Sequence, residues 1–123
     1  MDPHSTPIGQ MAQRMGIVLV EVGAARTVGT MPVEGNRQPF GLLNGGASMA
    51  LIETLGSIAA NVHAGQGRYA VGIEISGSHH RSAREGTVTG VATALALGRT
   101  VATYEQDRRV CTGRLTCLLR DAN

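Results

Sequence analysis

A single acidic residue lies inside a long apolar segment and could carry acid–base or nucleophilic chemistry. Glu53 is the only charged residue between Asn44 and Val62. Ser57 and Asn61 follow it at intervals of four, so the three side chains would form one polar line along a helix. Such a line is often the solvent-facing edge of an amphipathic helix, but a surface helix of this length normally carries several charges. A lone carboxylate among aliphatic side chains is poorly solvated, as expected of a catalytic base or nucleophile.

The start of the same segment could stabilise negative charge on an oxygen. Asn44 is a good N-cap residue, and Gly45 and Gly46 follow it without side chains. The first N–H groups of a helix have no partner within it, and the helix dipole places partial positive charge there. Such N–H groups can polarise a carbonyl whose oxygen gains charge during a reaction. We therefore predict a binding site for such an oxygen at Gly45.

The spacing of these two features indicates a site built by two subunits. Glu53 follows Gly45 by eight residues, which corresponds to about 12 Å along a helix. This separation is too large for both groups of one helix to act on one small carbonyl. The helix start of one subunit could, however, meet the carboxylate of another.

These groups need a long helix held against a sheet, and the sequence predicts both. The run from Gly45 to about Ala64 lacks proline and is apolar on nearly every side, which is typical of a buried helix that ends at the glycines 65 and 67. The predicted strands are Ile17–Val22, Arg26–Val33, Tyr69–His80, Thr87–Leu97, Arg99–Glu105 and Arg109–Leu119, with a helical turn around Pro7–Arg14 and a loop over Glu34–Leu43. This order predicts one α+β domain over residues 1–123, with an antiparallel sheet around the helix rather than a parallel βαβ fold.

Alternation along the strand that follows the helix predicts which side chains face it. Residues of one parity should point toward the helix, and these are Val71, Ile73, Ile75 and His79. The other parity should point away, and it contains Glu74, Ser76, Ser78 and His80.

Composition excludes several classes of function. The chain has 123 residues, a net charge of +2, no Trp and 16% charged residues, which disfavours a nucleic-acid-binding surface. No apolar run reaches the roughly 20 residues that span a bilayer, and the N-terminus does not resemble a secretory signal, so we expect a cytoplasmic protein without a membrane partner. All eleven basic residues are Arg, which suits a small phosphate-bearing ligand. Cys111 and Cys117 are expected to be reduced core thiols, and the Cys and His spacing indicates no metal site.

Two segments resemble a known family. PFGLLNGGASMALIETLGSIA (residues 39–59) and VGIEISGSHHRSAREGTVTG (residues 71–90) are similar to hotdog-fold acyl-CoA thioesterases. The nearest branch contains the 1,4-dihydroxy-2-naphthoyl-CoA, 4-hydroxybenzoyl-CoA, phenylacetate-degradation and enterobactin-proofreading thioesterases. The resemblance is strong over residues 38–97 and looser in the flanking strands. It implies a long helix wrapped by a curved antiparallel sheet, with subunits paired edge to edge as dimers that usually form tetramers.

The resemblance also implies catalytic roles. Glu53 would attack the thioester carbonyl or activate water, and Ser57 would help to hold the water or the carboxylate. Gln38 would come from the neighbouring subunit and orient the attacking group, and the Gly45 N–H would polarise the carbonyl. Asn44 departs from the family pattern, because this branch usually has His at that position. Asn can cap the helix and donate a hydrogen bond, but it cannot carry a proton.

The same resemblance assigns residues to the substrate. His79 would lie near the acyl pocket. Arg81, Ser82 and Arg84 would lie near the entrance for the coenzyme A nucleotide and pantetheine, and phosphate is a natural partner of Arg. A solvated strand end, or an ion pair between these Arg residues and Glu85, is the alternative for the two cations.

These observations predict a thioester hydrolase that acts on acyl-CoA or on an acyl-carrier protein and releases a free acid and a thiol. No metal or cofactor is implied beyond the coenzyme A of the substrate. Two other functions stay open: a hydratase or dehydratase of the same fold, which would normally need a catalytic His near Asn44, and a non-catalytic acyl-CoA-binding protein.

Overall fold

The computed structural model describes residues 1–99, 101–107 and 111–122. After a 3-10 turn at Pro3–Ser5, the elements in chain order are α1 (Gln10–Arg14), β1 (Val18–Glu21), β2 (Arg26–Pro32), α2 (Gly45–Ala64), β3 (Arg68–His79), β4 (Thr87–Leu97), β5 (Val101–Asp107) and β6 (Cys111–Asp121). The strands form one sheet in the order β1-β2-β4-β5-β6-β3, and every neighbouring pair is antiparallel. Helix α2 packs against β2, β3, β4, β5 and β6. The predicted α+β architecture, with a long helix covered by an antiparallel sheet, is confirmed.

Helix α2 has the bounds that the sequence predicts. The Asn44 side chain caps its first turn by accepting a hydrogen bond from the Gly46 N–H at 2.8 Å. Gly65 follows its last residue with φ of 79°, a conformation that glycine adopts without strain. Between these ends, the helix buries the side chains of Leu51, Leu55 and several small residues against the sheet.

Other element boundaries differ modestly from the predictions. The first helix is shorter than the predicted turn over Pro7–Arg14 and begins at Gln10. Strand β5 runs from Val101 to Asp107 and strand β6 from Cys111 to Asp121, so both end two residues later than predicted. Residues 100, 109 and 110 of the predicted strands lie outside the described residues.

Strand β3 corrects the predicted orientation of Val71 and Ile73. Its pairing with β6 shifts register between Gly72 and Glu74, which marks a β-bulge at Ile73. One extra residue inverts the alternation, so Val71 and Ile73 point away from α2 and are 41% and 56% exposed. Gly72 faces the helix before the bulge. After the bulge the prediction for Ile75 and His79 is correct, because Ile75 packs on the core and His79 lies against Gly45.

Strand β3 is also an edge of the sheet. Among the described residues, β6 is its only pairing partner, so its other side carries backbone groups without a neighbouring strand. His80 lies just beyond the end of β3, and its Nε2 is 2.8 Å from Thr112 Oγ1. Thr112 alternates with the buried residues of β6, so His80 lies away from α2, as predicted.

Candidate active site

The carboxylate of Glu53 is half-buried between α2 and β3. Ser57, one helical turn later, donates its hydroxyl to Glu53 Oε2 at 3.0 Å. Gly72 lies directly opposite on β3, where a β-carbon would collide with the carboxylate. Within the described part of the chain, Glu53 Oε1 has no hydrogen-bond partner. The site therefore holds one carboxylate oxygen and leaves the other available to a reactant.

The polar line that begins at Glu53 is attached to the sheet. Asn61 donates its side-chain amide to the Ser57 carbonyl at 2.8 Å. Its Oδ1 accepts a hydrogen bond from the Ala70 N–H at 2.9 Å. The line therefore follows edge strand β3, where Glu53 and Ser57 are partly buried and Asn61 is exposed.

A buried thiol lies beside the same carboxylate. Cys117 is opposite Gly72 in the β3–β6 register, and it is fully buried. Burial and the nearby charge of Glu53 raise the pKa of Cys117 to about 11, while a hydrogen bond with Ser57 acts in the opposite direction. The thiol is therefore neutral near pH 7 and is unsuited to act as a nucleophile. Both Cys111 and Cys117 are free and buried, as predicted.

The first turn of α2 presents one unused backbone donor. The Asn44 side chain accepts the Gly46 N–H, and the Asn44 carbonyl accepts the Ala47 N–H at 2.9 Å. The Gly45 N–H has no partner among the described residues. The His79 ring packs against the same residue, because a β-carbon on Gly45 would be 3.0 Å from His79 Nε2. Glycine thus leaves room for the imidazole beside a free N–H.

A pocket of about 240 Å³ lies beside this helix start. It gathers five residues that the sequence assigned to the site: Gln38, Gly45, His79, Arg81 and Ser82. Leu42, Leu43 and Ser48 complete its lining. Asn44, Glu53, Ser57 and Arg84 are not among its lining residues. Glu53 and Ser57 form a separate group on α2, and Asn44 lines a different pocket of about 340 Å³.

The loop that carries Gln38 is held by that residue's own side chain. Gln38 Oε1 accepts hydrogen bonds from the N–H groups of Phe40 and Leu42. The Gln38 N–H also donates to the Leu42 carbonyl at 2.7 Å. The Gln38 side-chain amide nitrogen makes no hydrogen bond within the described residues, so it is the group left to contact a reactant.

Two residues that sequence reasoning missed support the site. Gly72 provides the space for the Glu53 carboxylate, and a glycine inside a strand is a signal of such a close approach. Arg37 donates through Nε and Nη2 to the Arg84 carbonyl, at 3.2 and 3.0 Å, and pairs with Glu34. It joins the loop of Gln38 to the segment of Arg81 and Arg84, a contact that no sequence spacing indicates.

The cations near the pocket are available to an anion. Arg81 and Arg84 are exposed, and neither forms an ion pair with Glu85 in the part of the chain that the structure describes. The alternative of an ion pair with Glu85 is therefore not observed. Among the described side chains, no three His, Cys, Asp or Glu come together to hold a metal ion. No helix in the described ranges is long and apolar enough to span a membrane.

Comparison with known proteins agrees with this architecture. Residues 40–117 match the family model described as "Thioesterase superfamily". The chain is 46% identical over 120 residues to the proofreading thioesterase EntH of Cronobacter sakazakii, covering 92% of this chain and 88% of the relative.

Solved structures of thioesterases also resemble this chain. A thioesterase from Haemophilus influenzae superposes with a TM-score of 0.86 and 36% identity, covering 90% of this chain and 82% of the other. A mutant thioesterase from Pseudomonas aeruginosa gives a TM-score of 0.85 and 34% identity, with coverage of 90% and 86%. The predicted hotdog fold is confirmed. The chain therefore belongs to the thioesterase superfamily and is an enzyme that hydrolyses thioesters.

Proposed function

We propose that the chain hydrolyses acyl-CoA, or an acyl-carrier-protein thioester, in an active site that two subunits share. Glu53 of one subunit would act on a carbonyl held by the helix start of the other. The observation that carries this proposal is the Gly45 N–H, which has no partner among the described residues and lies at the start of the same helix that holds Glu53. The two groups lie eight residues apart, about 12 Å along the helix, so one chain cannot bring both to one carbonyl.

The helix start prepares the carbonyl for attack. Its oxygen accepts the Gly45 N–H, in the positive field of the α2 dipole. The Asn44 Oδ1 is occupied by the Gly46 N–H, so the amide nitrogen of Asn44 is the side-chain group available as a second donor. The backbone N–H of Gly45 is fixed by the helix before substrate binds, so it needs no rearrangement as negative charge develops on the carbonyl oxygen.

Glu53 supplies the attack in one of two ways. As a nucleophile, it forms a bond to the carbonyl carbon, the carbon–sulfur bond breaks, and the thiolate leaves and takes a proton from water. The resulting anhydride is then hydrolysed to the free acid. As a general base, it removes a proton from a water molecule that attacks the same carbon directly; the carbon–sulfur bond then breaks, and the departing thiolate takes that proton back from the Glu53 carboxyl. Ser57 holds Oε2 in either case and directs Oε1 toward the reactant.

Edge strand β3 is the surface through which we propose that the dimer forms. It is twelve residues long, lacks a second neighbour in the described sheet and exposes Val71 and Ile73. Along this strand, Gly72 lies next to the carboxylate of Glu53, and His79 lies next to Gly45. Antiparallel pairing of two β3 strands that sets Gly72 opposite the partner's His79 unites the two half-sites. Its two-fold axis then passes between Ile75 and Ser76.

The remaining predicted residues would serve the substrate. His79 and Gln38 line the pocket at the carbonyl, with Gln38 reaching the nucleophile of the neighbouring subunit. Arg81, Ser82 and Arg84 would bind the phosphate-bearing arm of coenzyme A or of phosphopantetheine. No metal or further cofactor takes part in the proposed reaction.

Similarity to a proofreading thioesterase extends the proposal to the acyl group and the cellular setting. The chain is similar to a proofreading thioesterase, and we infer that it likewise acts on more than one acyl thioester. A homotetramer built from two such dimers and a cytoplasmic location complete the proposal. Two buried free thiols are typical of a reducing compartment.

Thiol release from benzoyl-CoA, mid-chain acyl-CoAs and an acyl-carrier thioester tests the proposal. We expect Glu53→Gln to lower kcat by about 10²- to 10⁴-fold, because it removes the group that attacks or deprotonates. Coenzyme A binding, measured by titration calorimetry, should be retained. Glu21→Gln is the matched control, since Glu21 on β1 forms only a surface ion pair, with Arg26 on β2, among the described residues.

Two results would contradict the proposal in different ways. Negligible hydrolysis by both the wild type and Glu53→Gln, with tight coenzyme A binding, would indicate an acyl-CoA-binding protein. Addition of water to enoyl-CoA without thiol release would indicate a hydratase.

A further inference from the structure

A buried hydroxyl near the start of α2 has no partner in its own chain. Only 7% of the surface of Ser48 is accessible. Its backbone N–H donates to the Asn44 carbonyl at 3.3 Å, but its Oγ makes no hydrogen bond with any residue that the structure describes. Thr27, also buried, shows the usual arrangement, because its Oγ1 donates to the Gly23 carbonyl at 2.9 Å and accepts the Gly23 N–H at 3.3 Å. Leaving a buried hydroxyl unpaired is unfavourable, so Ser48 needs a partner from outside the chain.

The Ser48 side chain lies at the same pocket as the Gly45 N–H. Both residues line the pocket of about 240 Å³ beside the helix start. Ser48 follows Gly45 by three positions, which places the two on one face of α2. Helical side chains lean toward the N-terminus of their helix, so the hydroxyl leans toward the turn that begins at Gly45. Two donors on one rigid element therefore face the same space.

The polar side chains of this pocket offer mainly donors. Gln38 Oε1 is occupied by two backbone N–H groups of its own loop, which leaves the amide nitrogen. The guanidinium of Arg81 has donors and no acceptor. A bound group that supplies an acceptor oxygen would therefore pair the Ser48 hydroxyl where the chain itself does not. The carbonyl oxygen of a thioester is such an acceptor.

We propose that Ser48 is a further catalytic residue, whose hydroxyl donates to the thioester carbonyl oxygen together with the Gly45 N–H. This inference rests on the proposed function and adds to it a residue that the sequence did not assign to the site. As the carbonyl carbon becomes tetrahedral, its oxygen gains negative charge and both hydrogen bonds strengthen. Ser48 keeps its proton throughout, because no base in the described chain forms a hydrogen bond with its Oγ.

Hydrolysis of benzoyl-CoA and thermal unfolding test the role of this hydroxyl together. We expect Ser48→Ala to lower kcat by about 100-fold with little change in KM, as for the loss of one donor to the reacting oxygen. Its Tm should not fall, because the hydroxyl has no partner within the chain to lose. Ser48→Cys fills the space of the hydroxyl but donates only weakly, so its kcat should stay near that of Ser48→Ala.

Thr27→Val is the matched control and should show the opposite pattern. It removes a buried hydroxyl that is paired within the chain and leaves both Gly23 groups without that partner. We expect its Tm to fall by about 4 °C and its kcat to remain at the wild-type value.

Infrared spectroscopy of bound substrate tests the contact without turnover. Benzoyl-CoA labelled with ¹³C at the carbonyl is bound to Glu53→Gln and to the double variant Glu53→Gln/Ser48→Ala. A hydrogen bond lowers the carbonyl stretching frequency, so we expect the band at higher frequency in the double variant.

Several outcomes would overturn the inference. They are an unchanged carbonyl band, a wild-type kcat in Ser48→Ala, a kcat restored by Ser48→Cys, and a raised KM at unchanged kcat, which would place the hydroxyl on another part of the substrate. A wild type that hydrolyses no thioester would refute the proposed function, whereas the carbonyl band would still decide whether Ser48 contacts the carbonyl. The two failures can therefore be distinguished.

Discussion

Glu53 is constrained by three neighbours that act on different parts of its carboxylate. Ser57 holds Oε2 by a hydrogen bond, and Gly72 leaves the space that the carboxylate occupies. Cys117, opposite Gly72 on β6, is an uncharged thiol near the carboxylate. A reacting group that is displaced by about 1 Å can lose about 100-fold in rate, so such packing bears directly on catalysis. The glycine is the most easily tested of the three, because adding a methyl group there moves the carboxylate and little else.

We predict that Gly72→Ala separates activity from stability. The new β-carbon collides with the end of the flexible Glu53 side chain, so the carboxylate moves while the backbone stays in place. We expect kcat to fall by about 10- to 100-fold, with the free energy of unfolding changed by less than about 1 kcal/mol. Steady-state kinetics and urea denaturation measure the two effects.

Gly77→Ala is the matched control for this variant. Gly77 lies on the same face of β3, and its added methyl group would meet Met49 Sδ at 2.8 Å, outside the site. Its kcat should therefore remain near the wild-type value. Equal losses of activity in both variants would show that β3 tolerates no side chain at all and would contradict the role assigned to Gly72.

The elements show which parts of this structure a sequence can predict. Helix α2 was predictable because its cap, apolar composition and terminal glycine are all local features of residues 44–65. The orientation of Val71 and Ile73 was not, since the bulge at Ile73 arises from pairing with β6, which begins about forty residues later in the chain. The spacing of Gly45 and Glu53 is also local, and it predicted two half-sites. The contact of Arg37 with the Arg84 carbonyl could not be predicted, because it depends on how two loops fold together.

The helix start yields a prediction about a single backbone hydrogen. Proline is favoured at the first position of a helix and has no N–H, so Gly45→Pro removes the proposed donor from α2. Asn44 has ψ of 131°, which is compatible with a following proline. We expect kcat to fall by about 10²- to 10³-fold relative to Gly45→Ala, as for the loss of one oxyanion donor.

Gly45→Ala is the appropriate reference for that comparison. It adds the same β-carbon near His79 Nε2, at 3.0 Å, but keeps the N–H. The crowding of the imidazole by the β-carbon is therefore shared by both variants and cancels in their ratio. Equal kcat values for the two would show that the Gly45 N–H does not bind the carbonyl.

At the scale of the whole molecule, the proposed mechanism requires that the two half-sites of each chain be combined between subunits. The pocket at Gly45 and the carboxylate at Glu53 belong to one rigid helix, so closing the gap within a chain would require α2 to break. The proposed pairing through β3 would instead give two equivalent sites related by the two-fold axis, each with one group from each subunit. This arrangement makes activity a property of the dimer, and it predicts complementation between inactive variants.

We predict that Glu53→Ala and Gly45→Pro subunits restore activity when they are mixed. Each homodimer lacks one group in both sites, whereas a mixed dimer has one site with both groups damaged and one site intact. Random exchange at equal concentrations makes half of the dimers mixed, so the mixture should recover about a quarter of the wild-type kcat. Unfolding and refolding the two variants together, followed by measurement of thiol release, provides the test, and variants refolded separately and then assayed are the control. If the refolded mixture is no more active than its components, each chain carries its own complete site, and the shared arrangement is wrong.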